Sequence, residues 1–524
     1  MDTDYFEGLL TELFLENPRV ATLVMRPSGT LGERREAEER AEEEAHFLAL
    51  SESERERISL EAEALKAWQE SEDTEEAIAT LPRLDISDIS REPARIPQRE
   101  CEVQARRALI HEIDTTGISY YDLYFDASDL TPDELFYLGL LTPLFSNLDT
   151  EGGTASDIQR RIKAELGFLD VSFSVLPKKE GYTVYSVVSA AALDSNRDKI
   201  VSLLSELLYT SRLDGEIMKN IYKQMKISQE ESIASSGHQV AISRALSKKS
   251  ATYAAKEMLS GYEFYERLKA LVENIDEELP TLTVKLQCLI DKIFVRERVT
   301  YATVGMGAES LLTRIGDALR RGEGPGPVAE SPDIFGGGEG VLIPSGVSYA
   351  ACAAVAKLSP EERGWMHVVR MILNYEYLWG EIRVKGGAYG AGFVSRAGGC
   401  LAFYSYRDPN GALSYSVYEK ASDALVAFAK SERDLSGFII SAVGDIEPIM
   451  TPRLQGTVAS IRTLSGRTYD EDVRIRGALL GADKEAILKI AAKLREAFDN
   501  GAKVIVGGED KLTPCEFIER TLKI

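Results

Sequence analysis

Apolar positions recur along the chain with the period of either an amphipathic helix or a strand, and residues 1–30 show both in turn. Residues 4–16 place leucines and a phenylalanine on one helical face, and Pro18 ends that helix. The apolar run at 20–25 predicts a strand. One helix and one strand cannot bury both apolar faces without a sheet, so residues 1–30 are predicted to close a preceding domain that is missing here.

Residues 31–97 are predicted to form a charged helical hairpin that serves as a linker. Glu and Arg dominate its first half, and Ser51 with Glu54 has the form of a capping box that would start the second helix. Ile58 and Leu65 lie on a narrow apolar stripe, which favours docking along a partner surface. The alternative is a solvated linker helix.

Two later segments repeat one plan of strand, turn and helix. An alternating strand at 120–126 is followed by a Thr131 helix start, and a strand at 350–356 is followed by a Ser359 helix start. In both, Pro stands at the first helical position and Glu at the third. The repeat predicts a duplication with a period of roughly 220 residues.

The duplication leads to an α+β fold class with two tandem homologous domains, at 98–321 and 341–524, of helices packed on mainly antiparallel sheets. Gly and Pro are concentrated at 322–340, including three consecutive glycines at 336–338, and predict an interdomain linker.

Charge and cysteine content narrow the class of partner and the compartment. A net charge of -23 argues against nucleic acid and anionic membranes as partners. Five cysteines lie far apart and never as CxxC, which predicts neither a disulfide framework nor a zinc knuckle and favours a reducing compartment. No basic, apolar leader opens the sequence, so a cytoplasmic location is expected. The cysteines are Cys101, Cys288, Cys352, Cys400 and Cys515.

Several motifs together resemble the presequence-protease and falcilysin branch of the pitrilysin/insulinase metallopeptidases. The similarity runs nearly end to end, and its most specific part is RVKGGAYGAG with SYRDPN downstream. The motifs are LPRLDISDI at 81–89, residues 116–125, SSGH at 235–238, VLIPSGVSY at 341–349, GEIRVKGGAYGAG at 380–392 and FYSYRDPN at 403–410.

The resemblance implies one half of a clamshell of four similar α+β domains that close around a peptide chamber. It assigns this chain to the end of the second domain, the hairpin linker, and the third and fourth domains. In such enzymes the N-terminal half binds zinc through an HxxEH motif and a distal Glu. This sequence contains no HxxEH, so no cofactor is expected on this chain, and zinc is expected on a missing or partner N-terminal half.

The four histidines are interpreted as surface or packing residues and not as ligands. They are separated by long stretches of sequence, and the pair His111–Glu112 is interpreted as a chance neighbourhood. The histidines are His46, His111, His238 and His367.

The resemblance also implies that this half supplies an Arg and a Tyr to the scissile region, and the matching positions are Arg383 and Tyr389. A guanidinium and a phenol can both stabilise a developing oxyanion. Gly386, Gly387 and Gly390 would allow the substrate backbone to approach. The alternatives are a structural ion-pair role for Arg383 and a core position for Tyr389.

The function predicted from the sequence is that of the noncatalytic C-terminal half of a zinc metalloendopeptidase that degrades unstructured oligopeptides, inactive by itself. Its predicted partners are an HxxEH-containing N-terminal half and unstructured peptides. If that half carried a targeting peptide, the location would be an organellar matrix instead of the cytoplasm. The alternative function is a stand-alone, zinc-free binding or assembly subunit of a pitrilysin-type complex.

Overall fold

A computed structural model describes residues 4–26, 28–71, 73–82 and 84–524. The chain divides into two compact units, Met1–Arg83 and Leu84–Ile524. Some predicted segments therefore lie partly outside the described residues, at positions 1–3 and 27 of the closing segment, 72 of the hairpin and 83 of the motif at 81–89.

The described residues of the first unit form helices with mostly exposed apolar side chains. The predicted capping box is confirmed, because Ser51 Oγ accepts from the Glu54 N–H at 3.3 Å and the Glu54 carboxylate accepts from the Ser51 N–H at 2.8 Å. The helices are α1 Tyr5–Leu10 with a wider helical turn over Thr11–Leu15, α2 Leu31–Ala49, α3 Glu52–Glu70 and α4 Glu75–Ala79.

The strand predicted at 20–25 is not observed, since that run forms neither helix nor strand and Leu23 is 83% exposed. A strand is stable only beside another strand, and the described residues of this unit contain none. The apolar stripe of α3 is likewise open, with Ile58 45% and Leu65 52% exposed. What covers that stripe stays a prediction.

The second unit contains two six-stranded sheets. The strands are β1 Arg99–Val103, β2 Arg106–His111, β3 Ile118–Asp126, β4 Phe168–Pro177, β5 Tyr182–Leu193, β6 Val299–Val304, β7 Gly338–Leu342, β8 Tyr349–Val355, β9 Gly390–Arg396, β10 Cys400–Tyr406, β11 Ala502–Gly507 and β12 Ile518–Lys523.

Its helices cover the sheets and connect their strands. They are α5 Pro132–Leu141, α6 Ala155–Glu165, α7 Asp198–Tyr209, α8 Gly215–Ser235, α9 Gly237–Ser247, α10 Ala251–Ser260, α11 Tyr262–Glu273, α12 Ile275–Ile293, α13 Leu312–Ala318, α14 Pro360–Ile372, α15 Gly411–Glu419, α16 Ala421–Lys430, α17 Ser436–Ile446, α18 Pro452–Leu464, α19 Tyr469–Leu480, α20 Lys484–Phe498 and α21 Glu509–Leu512. Short 3₁₀ turns lie at Ile86–Asp88, Thr142–Leu144, Arg296–Arg298, Ala308–Leu311 and Ala397–Gly399. None of the described helices is long and apolar enough to cross a membrane.

The two sheets have the same plan, as the predicted duplication requires. Their strand orders are β1-β2-β6-β3-β5-β4 and β12-β7-β11-β8-β10-β9, so five strands correspond one to one. The pairs β2–β6, β7–β11 and β7–β12 are parallel and all others are antiparallel. The predicted α+β class with tandem homologous domains is confirmed.

The helix starts that revealed the repeat are also confirmed. Thr131 and Ser359 each form a capping box, with Glu134 and Glu362 respectively, and Pro stands in the first turn of both helices. These caps are local, since each satisfies N–H groups that the helix itself cannot.

The predicted linker at 322–340 extends too far, because β7 begins at Gly338. A Cβ on Gly338 would lie 2.1 Å from the Phe517 carbonyl oxygen, just before β12. At this position the absent side chain therefore permits close approach of two chain segments in a sheet, and it does not mark a flexible connector.

Each sheet has one face against helices of its own domain and one face against a helix of the other domain. The α9 helix packs on β8, β10 and β11, while α18 packs on the first sheet, beside β6. Both helices approach through a glycine. A Cβ on Gly237 would lie 2.4 Å from the Tyr349 ring, and one on Gly456 would lie 2.2 Å from Val304 Cγ2. This reciprocal packing joins the two domains.

Replacing Gly456 by alanine should destabilise the protein by about 1–2 kcal/mol, because the clash with buried Val304 outweighs the higher helix propensity of alanine. The matched control is Gly477→Ala in α19, where nothing lies within 4 Å of the added Cβ and stability should rise by up to ~1 kcal/mol. The measurement is the denaturant midpoint of both variants. Equal midpoints would contradict the proposed tight helix-to-sheet contact.

Candidate functional site

The chain carries Arg383 on a widened helix that continues α14. This helix spans Leu373–Val384, and the chain then reverses into β9. Gly387 makes the reversal with a φ of +78°, a left-handed conformation that glycine adopts without strain. Its N–H donates to the Arg383 carbonyl at 3.0 Å. The glycines after Arg383 therefore set the direction in which the chain leaves the helix.

The Arg383 side chain is held by aromatic rings. Its Cζ lies 3.9 Å from the centroid of the Trp379 ring and 6.0 Å from that of Tyr389. Within the described part of the chain it forms no hydrogen bond or ion pair through its guanidinium. A role as a structural ion-pair residue is therefore not supported, and its N–H donors are available for a ligand.

Tyr389 lies at the surface, since its side chain is 67% exposed. Its ring meets the edge of Tyr406 with centroids 5.8 Å apart, and its backbone N–H donates to the Arg407 carbonyl at 3.3 Å. The alternative of a core aromatic is excluded by this exposure. The ring is supported on one side, while the phenol remains open to solvent.

The three predicted substrate-binding glycines differ in what surrounds them. A Cβ on Gly386 would lie 2.5 Å from the Ile382 carbonyl oxygen, so this glycine is needed by the backbone itself. Around Gly387 and Gly390 the nearest atoms lie 3.6 and 3.8 Å from such a Cβ. These two glycines leave room beside Tyr389, and contact with substrate stays a prediction.

Sequence reasoning missed an aromatic cluster behind Tyr389. The His238 ring, on α9 of the other domain, lies 4.7 Å from that of Tyr406 and 6.3 Å from that of Tyr349. Its Nδ1 is buried and has no hydrogen-bond partner among the described residues, and burial lowers the pKa of His238. The motifs SSGH and SYRDPN carried no sign of this contact, because it depends on how two domains pack.

His111 is a core residue. Its ring nitrogens lie 3.0 Å from the Pro97 carbonyl and 2.8 Å from Ser460 Oγ of α18, whereas Glu112 pairs with Arg99. The side chains of His111 and Glu112 thus serve different contacts. Among the described residues, no three His, Cys, Asp or Glu side chains come together where they could hold a metal ion. These residues do not fit zinc, and no step is derived through a metal on this chain.

Lowering the pH should destabilise the second unit through His367. Burial first, and then the charges of Arg370, Arg467 and Arg363, lower the pKa of His367 to about 4. The unfolded chain protonates its histidine near the ordinary pKa of about 6.5. The associated stability is thus fully present above about pH 6.5 and is lost as the pH falls toward 4, by about 2–3 kcal/mol.

The measurement for His367 is the denaturant midpoint from pH 7 to pH 4. The His367→Gln variant should lose part of the acid sensitivity of the parent, and His46→Gln, at an exposed position of α2, is the control. If the parent and His367→Gln midpoints fell in parallel, burial of neutral His367 would not contribute to acid unfolding.

Two protein-family models match the chain. The model of the domain associated with M16 peptidases of subfamily C covers residues 25–271, and "PreP C-terminal domain" covers residues 339–508. Protein HypA of Clostridium perfringens is 25% identical over 98% of this chain and 53% of its own length. Presequence protease 1, chloroplastic/mitochondrial, of Arabidopsis thaliana is 24% identical over 97% of this chain and 48% of its own length. The chain therefore spans about half the length of the curated relatives it matches.

Solved structures show the same fold. The peptidase M16 inactive domain from Pseudomonas fluorescens matches with a TM-score of 0.57 and 15% identity, over 79% of this chain and 98% of that one. The crystal structure of pitrilysin matches with a TM-score of 0.57 and 14% identity, over 85% of this chain and 48% of that one. Together with the family models, these likenesses identify one half of a two-half fold.

Proposed function

Because this chain belongs to the pitrilysin superfamily and corresponds to the C-terminal half of its presequence-protease branch, we propose that it is the noncatalytic half of a zinc metalloendopeptidase. In this proposal the substrates are unstructured oligopeptides. A separate HxxEH-containing half, on the same polypeptide or on another chain, holds the zinc. Neither half cleaves peptides alone, and cleavage requires their closure around the substrate.

One observation carries the proposal. Arg383 is stacked on Trp379 without a polar partner in the described part of the chain, and the exposed Tyr389 stands beside it. An arginine that has no partner of its own and is held by a ring is ready to donate to an oxygen of an incoming ligand. Tyr389 adds a second donor in a fixed direction, because Tyr406 supports its ring.

The proposed role of this pair is to stabilise charge that develops on the scissile carbonyl. Zinc in the other half would supply a Lewis acid and an activated water. From this half, Arg383 and Tyr389 would donate hydrogen bonds to the carbonyl oxygen as it becomes negative. Closure would also exclude water, which strengthens both hydrogen bonds.

The experiment that tests the function measures cleavage of a quenched, unstructured peptide. The purified chain is assayed alone, and then with zinc and an HxxEH-containing half. Activity is expected only in the mixture, and a chelator should abolish it. Chelator-sensitive activity of the chain alone would contradict the assignment of zinc to the other half, and silence of the mixture would favour the binding or assembly subunit.

A further inference from the structure

A hollow of about 440 Å³ lies where α18 begins, over the face of the first sheet. Tyr120 and Phe168, on β3 and β4, form aromatic walls, and Arg453 of α18 closes it from above. Thr115 and Thr451 line its rim. The hollow is thus an apolar trough with a guanidinium and two hydroxyls at its edge.

The corresponding place in the second sheet is filled. There the first turn of α9 brings His238 against Tyr349 and Tyr406, whereas the first turn of α18 brings Arg453 against Tyr120 and Phe168. The residue between Tyr120 and Phe168 in the strand register is Ala191 of β5. The small Ala191 side chain leaves space in the first copy, where a tyrosine takes up space in the second.

Arg453 has no ion-pair or hydrogen-bond partner among the described residues, and its half-buried side chain rests on rings. Its Cζ lies 4.2 Å from the centroid of the Phe168 ring and 5.6 Å from that of Tyr120. The acid whose charge acts on it, Asp122, is buried and accepts hydrogen bonds from Ser189 and Thr457. Burial raises the pKa of Asp122, so this carboxyl offsets the charge of Arg453 only weakly.

A guanidinium with free N–H donors is complementary to a carboxylate, which it can bind through two parallel hydrogen bonds. The hollow is larger than a carboxylate alone, and its walls are apolar. We propose that this hollow binds the C-terminal carboxylate of a peptide whose last side chain is apolar. The assignment rests on the proposed peptide substrates, and it gives the first domain a part in holding one end of them.

The test measures binding to the 524-residue chain alone, by fluorescence anisotropy of a labelled, unstructured peptide that ends in leucine. The free acid should bind about 10- to 100-fold more tightly than the same peptide with a C-terminal amide. Arg453→Gln should reduce binding of the acid to that of the amide. Arg495→Gln, at an exposed arginine paired with Asp423, should leave the preference unchanged.

Two results would overturn the assignment. One is equal affinity of acid and amide for the parent chain, and the other is a full preference for the acid in a folded Arg453→Gln variant. An amidated peptide that ends in glutamate separates the sources of the carboxylate, and its binding as tightly as the free acid would also overturn the C-terminal assignment.

No zinc or second half is needed for this binding measurement, so its outcome is independent of the peptidase assay. A retained preference for the free acid together with a silent mixture would refute the proposed peptidase function and leave the binding site. An active mixture without that preference would refute the binding site alone.

Discussion

Replacing Arg383 by alanine should lower kcat of the two-half enzyme by about 100- to 1000-fold while changing KM little. This magnitude is typical when one donor to a developing oxyanion is removed, because the lost hydrogen bond is stronger in the transition state than in the ground state. The aromatic support of Arg383 argues for an effect on chemistry, since Trp379 already holds the guanidinium before substrate arrives.

Two matched controls separate this effect from damage to the fold. Arg495→Ala removes an exposed arginine of α20 that pairs with Asp423, and its kcat should be unchanged. Tyr389→Phe should also lower kcat by removing only a hydroxyl, whereas Tyr375→Phe alters a similarly exposed tyrosine, 64% against 67%, without effect. Unchanged kcat in both Arg383→Ala and Tyr389→Phe would remove the pair from the mechanism.

Replacing Arg244 by methionine should destabilise the protein by about 3–5 kcal/mol, because it leaves buried carboxylates without their partner. Arg244 on α9 is fully buried, and its guanidinium lies 2.7 Å from Glu339 on β7 and 3.1 Å from Glu257 on α10. Lys248 also reaches Glu339 at 2.5 Å. The cluster is completed by Glu263 and Arg520.

The Arg244 cluster joins helices of the first domain to the edge of the second sheet, so its loss should loosen the contact between the domains. The control is Arg314→Met, which breaks an exposed pair with Asp198 and should cost no more than about 1 kcal/mol. Denaturant unfolding of the two variants provides the comparison. A midpoint for Arg244→Met within error of the Arg314→Met midpoint would show that the cluster does not hold the domains together.

Much of the fold could be predicted from the sequence, because the signals involved are local. Thr131 and Ser359 announce their helices through side chains that bond within one turn. The recurrence of that start after an alternating strand is enough to predict two copies of one domain. The RVKGGAYGAG stretch likewise marks a helix end and a glycine reversal that depend on few neighbours.

The failures share a cause, which is that strand pairing is a long-range property. The apolar run at 20–25 has a strand-like pattern but no neighbouring strand among the described residues of its unit. Gly338 has the composition of a linker, yet it pairs with a strand far along the chain, beside Phe517. Composition alone does not distinguish a glycine that gives flexibility from one that permits contact.

By itself the sequence determined the helix starts, the duplication, the fold class and the likeness of the Arg383–Tyr389 stretch to one family, because these depend on residues close together in the chain. The tertiary structure alone decided which distant residues meet. It placed Arg244 among three carboxylates, His238 behind the tyrosines and Arg453 over a hollow left by Ala191. Each contact arises where one domain packs a helix against the sheet of the other, and helix-to-sheet packing between domains leaves no periodic pattern in either segment.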